Sequence, residues 1–222
     1  MNLSKVEDYF RPTADKIHII GCGSVGSSIA EMLARCGCTN FVLYDFDHVE
    51  AHNLANQMFR ESDIGQLKTD AVKDIICDIN PMCRDTVKTV PKGWHGETLN
   101  GFVFLAVDNI EIRKNIVEKH MYNERVKAMF DVRTMLEQAQ HYAADWISME
   151  QKKKLLSTMQ FSHDEAAAST PTSACGVTLG VAPTVRGVCT LAVANYINFV
   201  RTGKLKTFVM FDIFGMTLDA FE

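Results

Sequence analysis

The sequence lacks the composition of several classes of protein. Its 222 residues include only 13 glycines and 5 prolines, and 47% are hydrophobic, which excludes disordered, collagen-like and low-complexity chains. Basic residues are not in excess, because 23 Lys and Arg stand against 27 Asp and Glu for a net charge of −4. This balance disfavours nucleic acid and anionic membranes as partners. A chain of this length can bury one sizeable core, and we expect a single domain over residues 1–222.

Long apolar runs and paired cysteines are also missing. The most apolar stretch, residues 176–200, is interrupted by proline, arginine and asparagine, whereas a membrane-spanning helix needs about 20 nearly uninterrupted apolar residues. The N-terminal residues are polar and acidic, unlike a signal peptide, so we expect a cytoplasmic location. The seven cysteines include no CxxC pair, and neither a disulfide framework nor a four-cysteine zinc site is predicted.

The apolar runs predict alternating strands and helices. Residues 16–20 predict a buried strand, the glycine-rich GCGSVG follows at 21–26, and residues 27–36 have helical spacing. A second strand is predicted at 41–44 and ends at Asp45. Two strands joined by a right-handed helical crossover are parallel, so the chain opens with a Rossmann-like unit.

The alternation continues through most of the chain. Helices are predicted at 68–79, 110–122 and 183–200, strands at 86–90, 101–108 and 126–132, weakly antiparallel strands within 133–149, a mobile crossover loop at 150–173 and a closing hairpin at 208–221. We therefore predict an α/β fold, Rossmann-like and doubly wound, whose mostly parallel sheet has an antiparallel extension.

The glycine turn is a candidate phosphate-binding loop. Gly21, Gly23 and Gly26 lie between a predicted strand and a predicted helix, where backbone amides and the positive end of the helix can hold phosphate. Asp45 ends the second strand, a position from which an acidic side chain can accept hydrogen bonds from a ribose hydroxyl. These residues alone fit a nicotinamide-dependent oxidoreductase equally well.

A cluster of polar residues just after the second strand separates two interpretations. Within 24 positions the sequence contains Asp45, Asp47, Asn53, Gln57 and Lys68. A lysine and amide donors can neutralise and orient the phosphates of a nucleoside triphosphate, and carboxylates can hold Mg²⁺. A hydride-transfer site has little use for this set. Asp108 ends the next central strand, and we expect it to converge on the same metal.

These motifs resemble those of the ThiF/MoeB/ubiquitin-activating superfamily of adenylating enzymes. The resemblance runs in order through GCGSVGSSIAEMLARCGCTNFVLYDFD, HVEAHNLANQ, IGQLK, VDNIEIR and the stretch from Ser173 to Asp212. It implies ATP and Mg²⁺ as cofactors and a homodimer as the assembly. It also implies a partner that is a ubiquitin-like protein, a sulfur carrier or a peptide with a free C-terminal carboxylate.

The resemblance implies a role for each candidate residue. The three glycines would form the phosphate loop. Asp45 would bind ribose, and Asp47 would lie beside the nucleotide. Phosphate would be contacted by Asn53, Gln57 and Lys68, and Asp108 would hold Mg²⁺ beside the α-phosphate. In the implied reaction the partner's carboxylate attacks the α-phosphate of ATP, which releases pyrophosphate and leaves an acyl adenylate. Asp108, Lys68 and Cys175 are thus the candidate catalytic residues.

Departures from the family pattern keep a different function open. Asn56 stands where the family has an arginine, and Arg60, one turn onward, is a candidate substitute. The zinc-binding cysteine pairs of the family are absent, so no structural zinc is expected. A non-catalytic nucleotide-binding or scaffold homologue would fit these gaps.

Two further residues have two interpretations each, and a run of three lysines has one. Cys175 sits where some family members carry a cysteine that takes the activated acyl group, but a buried thiol is the alternative, and we expect adenylation without a required cysteine relay. Arg133 either meets the substrate tail or forms a surface salt bridge. The lysines at 152–154 are expected to form a solvated face of the crossover loop.

Overall fold

The computed structural model describes residues 1–162, 165 and 179–222, and their elements alternate along most of the chain. The strands are β1 (Ile17–Ile20), β2 (Phe41–Tyr44), β3 (Lys88–Val90), β4 (Gly101–Leu105), β5 (Val126–Thr134), β6 (Gln138–Asp145), β7 (Phe208–Asp212) and β8 (Thr217–Phe221). The helices are α1 (Ser24–Arg35), α2 (Lys68–Ile79), α3 (Ile110–Lys119), α4 (Met149–Ser157) and α5 (Ala182–Thr202).

The eight strands form one sheet in the order β3-β2-β1-β4-β5-β6-β7-β8. Strands β1 to β5 pair in parallel, whereas β6, β7 and β8 add antiparallel pairs. From β1 the chain proceeds outward to β3 and then returns to β4 on the other side of β1. In open α/β sheets, a ligand-binding crevice lies at the carboxyl ends of the strands where the order reverses. The predicted fold class is confirmed.

Helices cover both faces of the sheet and produce two apolar cores. On one face, α1, α2 and α5 pack against the sheet around Ile29, Val72 and Tyr196. On the other, α3 and α4 surround Ile116 and Trp146. Strands β1 and β4 are buried along their whole length, as expected for parallel strands covered on both sides.

Residues 149–157 form helix α4, so the prediction of a loop from residue 150 is wrong over this stretch. The side chain of Ser148 accepts a hydrogen bond from the amide of Gln151 and caps the helix. Lys152 is buried. Its Nζ donates to the carbonyl of Met121 at 2.9 Å and lies 5.3 Å from the ring centroid of Trp146. The prediction of a solvated lysine face is therefore also wrong at Lys152. Between 133 and 149 one strand, β6, pairs with β5.

Several predicted boundaries agree with the structure. Helix α2 has the predicted bounds, and α1 begins three residues before the predicted start. Helix α5 ends at Thr202, and the next residue, Gly203, adopts a left-handed conformation with φ +71°, as a glycine after a helix commonly does. None of the described helices combines the length and the apolar character that crossing a membrane requires.

Candidate functional site

A large cleft lies at the carboxyl ends of β1 and β4, where the strand order reverses. Its cavity volume is about 1730 Å³, above the range of about 300–1,000 Å³ typical of small-molecule pockets. The glycine turn, the end of β2 and the start of α2 line one side, while the end of β5 and the first part of β6 line the other. The cleft therefore has room for more than one small ligand.

The glycine turn brings β1 into backbone contact with the segment after β4. Gly21 has a φ of +96°, and a Cβ added there would lie 2.8 Å from the main chain of Ala106 and Val107. A Cβ on Gly26 would lie 1.8 Å from the carbonyl oxygen of Gly21. Gly26 does not line the cleft, and its role is to let α1 pack closely against the turn.

Gly23 differs from its two neighbours because it faces open space in the cleft. The nearest atom to a Cβ added at Gly23 would be Oε1 of Gln57, at 4.0 Å. Gly23 directly precedes α1, and no side chain caps the N-terminus of that helix. The first amides of a helix and its positive dipole end favour an anion at such a position. The space beside Gly23 thus fits a phosphate group.

Asp45 ties the end of β2 to the glycine turn. One carboxylate oxygen accepts a hydrogen bond from the amide of Cys22 at 2.6 Å, and the other accepts from the amide of Asp47 at 2.9 Å. Burial raises the pKa of Asp45, and these two amides oppose that rise. The thiol of Cys22 is itself buried, and burial raises its pKa well above the ordinary value. Asp45 therefore holds the shape of the loop, besides facing the cleft.

Lys68 supplies a partly buried cation at the start of α2. Its Nζ lies 2.8 Å from Oδ2 of Asp47, and the lysine side chain is only 11% exposed. The amide of Lys68 also donates to the carbonyl of Asp47 at 2.9 Å. Two contacts between the same residues fix the ammonium group at the wall of the cleft.

Two amide side chains face the same wall. Asn53 is buried, and its Oδ1 accepts a hydrogen bond from the amide of Glu50 at 3.0 Å. Gln57 presents a buried Oε1 that has no hydrogen-bond partner among the described residues. An unpaired buried polar atom costs about 1–3 kcal/mol, and the amide of Gln57 can turn its NH₂ group to the same place. In that turned orientation the NH₂ group of Gln57 would donate to an anionic ligand beside Gly23.

Asp108 lies three positions after the end of β4 and is exposed to the cleft. The residue that caps α3 is its neighbour Asn109, whose Oδ1 accepts hydrogen bonds from the amides of Glu111 and Ile112. Within the described residues the Asp108 carboxylate has no hydrogen-bond or ion-pair partner. It is therefore available to a ligand or a metal ion.

The carboxylates of the cleft fit Mg²⁺ held together with substrate phosphates better than they fit a metal ion coordinated by protein side chains alone. In the part of the chain that the structure describes, no three His, Cys, Asp or Glu side chains come close enough to hold a metal. Mg²⁺ is usually bound by one or two carboxylates together with substrate phosphates. Asp108 provides one such carboxylate.

A buried charge network that sequence reasoning missed lies behind Asp108. Arg113, on α3, pairs with Asp131 on β5, and Asp131 also pairs with Arg133. The guanidinium of Arg133 donates to both the carbonyl and the hydroxyl of Thr158, at 2.9 and 2.8 Å. Arg113 stands three positions after the buried Ile110, and that helical spacing was the signal that an arginine faces the core.

The departures from the family pattern also have positions in the structure. Asn56 lines the cleft and its Nδ2 donates to the carbonyl of Gly180 at 3.2 Å. Arg60 lies outside the cleft and pairs with Asp63 and Asp78. The prediction that Arg60 substitutes for the family arginine is therefore wrong, because its guanidinium is engaged by these two carboxylates outside the cleft.

The structure brings most of the predicted site residues together. The cleft is lined by Gly21, Gly23, Asp45, Asp47, Asn53, Gln57, Lys68 and Asp108, with Arg133 on the opposite wall. Gly26 lies behind the turn, and Cys175 is outside the described residues. The individual roles of these residues stay predictions.

The fold and the cleft define an α/β protein of the Rossmann-like kind with a ligand site at the reversal of its strand order. The model of the ThiF family matches residues 5–222. The chain therefore belongs to the ThiF family.

Curated relatives match a shorter part of the chain. Ubiquitin-like modifier-activating enzyme 5 of Arabidopsis thaliana is 43% identical over 76 residues, and the enzyme of the same name from Oryza sativa subsp. japonica is 45% identical over 76 residues. Each match covers 34% of this chain and 18% of the relative.

Solved structures with a similar fold cover nearly the whole chain. The crystal structure of E. coli MccB with ATP has a TM-score of 0.70 at 18% identity, and the match covers 97% of this chain and 65% of MccB. PaaA also has a TM-score of 0.70 at 18% identity, covering 93% of this chain and 63% of PaaA. The chain thus spans less than two thirds of both structures, and at this identity the likeness shows the fold alone.

Proposed function

We propose that the cleft binds ATP with Mg²⁺ and that the protein adenylates the C-terminal carboxylate of a small protein or peptide. The observation that carries the proposal is the open space at Gly23, bounded by the uncapped N-terminus of α1 and by the side-chain amide of Gln57. Membership of the ThiF family supports it. So do the names of similar proteins, which include modifier-activating enzymes and MccB bound to ATP or to MccA.

Different residues of the cleft would contact different parts of the nucleotide. The backbone amides at the start of α1 would donate hydrogen bonds to phosphate oxygens beside Gly23, because no side chain occupies that space. Lys68 and Gln57 would add donors to the same phosphates. Asp45 keeps acceptor capacity beyond its two amide contacts and would take a ribose hydroxyl. The volume of about 1730 Å³ leaves room for the partner's tail beside the nucleotide.

The proposed reaction is an in-line displacement at the α-phosphorus. A carboxylate oxygen of the partner forms a bond to the α-phosphorus while the bond from that phosphorus to the bridging oxygen breaks. The bridging oxygen leaves with the bonding electron pair as part of pyrophosphate, and no proton has to move. Asp108 would hold Mg²⁺, which would neutralise charge on the α-phosphate and on the leaving group.

A second candidate is a homologue that binds a nucleotide without catalysis. The cations that line the cleft are largely engaged, because Lys68 pairs with Asp47, Lys92 with Glu97, and Arg133 with Asp131. Asn56 adds no charge where the family has an arginine. Detection of pyrophosphate exchange with an acceptor protein separates the two candidates. Homodimerisation, a single domain and a cytoplasmic location stay predictions from the sequence.

Ligand preference provides the first test. In titration calorimetry we expect Mg-ATP to bind and NAD to bind more weakly or not at all, because lysine and amide donors face the phosphate space while Asp108 is available for a metal. Lys68→Met should weaken Mg-ATP binding by about tenfold or more, as expected for loss of a charge-assisted contact. Lys73→Met, on the same helix but outside the cleft, is the matched control. Tighter binding of NAD than of Mg-ATP would contradict the proposal.

A further inference from the structure

Arg113 is a buried arginine that clamps the main chain on either side of the cleft floor. Its Nε donates to the carbonyl of Val107 at 2.7 Å, and its Nη2 donates to the same oxygen. Its Nη1 donates to the carbonyls of Leu105 at 3.3 Å and Val132 at 2.8 Å and pairs with Asp131. The side chain therefore joins the end of β4 to β5.

The clamped carbonyl belongs to the residue that directly precedes Asp108. The main chain of Val107 is also the wall against which Gly21 packs without a Cβ. Asp108 itself has no side-chain partner within the described residues, so its position depends on the main chain that carries it. The side chain of Arg113 holds this main chain in place through its hydrogen bonds to the Val107 and Leu105 carbonyls.

We propose that Arg113 is a positioning residue for Asp108, which it sets in the geometry that binds Mg²⁺; this inference rests on the proposed function. Asp131 extends the arrangement, since it holds Arg113 with one oxygen and Arg133 with the other. Arg133 in turn holds Thr158, directly after α4. The metal-binding carboxylate and the end of α4 are thus linked through a single buried aspartate.

The test measures how the binding of ATP depends on the Mg²⁺ concentration. Arg113→Lys keeps a positive charge beside Asp131 but loses the two donors to the Val107 carbonyl. We expect the Mg²⁺ concentration for half-maximal ATP binding to rise about tenfold or more, as for other residues that orient metal ligands. In an Asp108→Asn background, Arg113→Lys should cause little further rise, because its effect acts through Asp108.

The matched control is Lys152→Met, which removes another buried cation that donates to a main-chain carbonyl outside the cleft. It should lower the melting temperature and leave the Mg²⁺ midpoint unchanged. If Arg113→Lys does not fold, Arg113→Gln combined with Asp131→Asn replaces it. An unchanged Mg²⁺ midpoint in a folded Arg113 variant, or full additivity with Asp108→Asn, would overturn the inference alone. No Mg-ATP binding by the unaltered protein would overturn the proposed function and this inference with it.

Discussion

The three glycines of the turn have different physical duties. Gly21 and Gly26 allow close backbone contacts, with the Ala106–Val107 main chain and within the turn itself. Gly23 leaves space open in the cleft. In this turn Gly21 and Gly26 are needed for close packing, whereas Gly23 leaves room for a ligand. Single substitutions can separate these two roles.

Alanine at Gly23 and at Gly26 should give opposite results. Gly26→Ala should destabilise the fold by about 1–3 kcal/mol or more, because its Cβ would overlap the Gly21 carbonyl. Gly23→Ala should cost less than about 1 kcal/mol, the scale of a helix N-cap change, yet weaken ATP binding because the methyl group occupies the phosphate space. Urea denaturation and calorimetry on both variants check this. Equal loss of stability in the two variants would refute the distinction.

Asp108 and Asn109 are neighbours whose substitutions should also be separable. Asp108→Ala should lower pyrophosphate exchange by about 100-fold or more, the scale for removing an electrostatic stabiliser. Its thermal stability should hardly change, because Asp108 does not cap α3. Asn109→Ala removes the cap and should cost about 0.5–2 kcal/mol of stability. The measurements are exchange and thermal unfolding on each variant; a large loss of stability in Asp108→Ala would show that the carboxylate supports the fold.

At the scale of the elements, the sequence predicts what regular periodicity encodes. Helix α2 was predicted with its observed bounds because apolar residues recur at helical spacing from Lys68 and Pro81 follows its end. Helix α4 was missed because its buried residues, Lys152 and Leu155, lie within a charged segment. Its stability depends on tertiary contacts, such as Lys152 with Trp146, that local periodicity does not reveal.

The candidate site divides in the same way. The residues that line the cleft follow the carboxyl ends of β1, β2 and β4, so strand prediction and topology were enough to bring them together. The Arg113–Asp131–Arg133 network joins α3 to β5 and to Thr158. Residues separated in sequence reveal such a pairing only once the elements are packed. Arg60 shows the converse, since proximity in sequence to Asn56 did not bring it into the cleft.

At the scale of the whole molecule, the sheet contains histidines that are buried and uncharged. Burial lowers the pKa of His18 on β1 and of His141 on β6 to about 4 each. His120, next to α3, is also buried, and burial lowers its pKa. His18 contacts Tyr44 and Asn100, while His141 contacts Asn195. These histidines make the folded state sensitive to mild acid.

The protein should lose stability as the pH falls from about 6.5 to 4. In that range unfolded histidines, with pKa values of about 6.5, bind protons while the folded His18 and His141 do not, so protonation favours unfolding. Each contributes at most about 1.4 kcal/mol per pH unit. The raised pKa of Asp45 opposes the trend, but it is one group against three histidines. Urea denaturation at several pH values measures it, and His141→Gln should flatten the slope; stability that is constant over this range would contradict the expectation.

The ion pair between Lys68 and Asp47 has a consequence for how strongly any anion can bind. Because the ammonium already has a carboxylate at 2.8 Å, a phosphate that reaches Lys68 competes with an anion tethered to the same chain. The apparent affinity for the phosphate equals the intrinsic affinity multiplied by the fraction of molecules in which the ammonium of Lys68 is free to receive it. Such a site discriminates against weakly charged anions, because only a ligand with enough negative charge can displace the Asp47 carboxylate from Lys68.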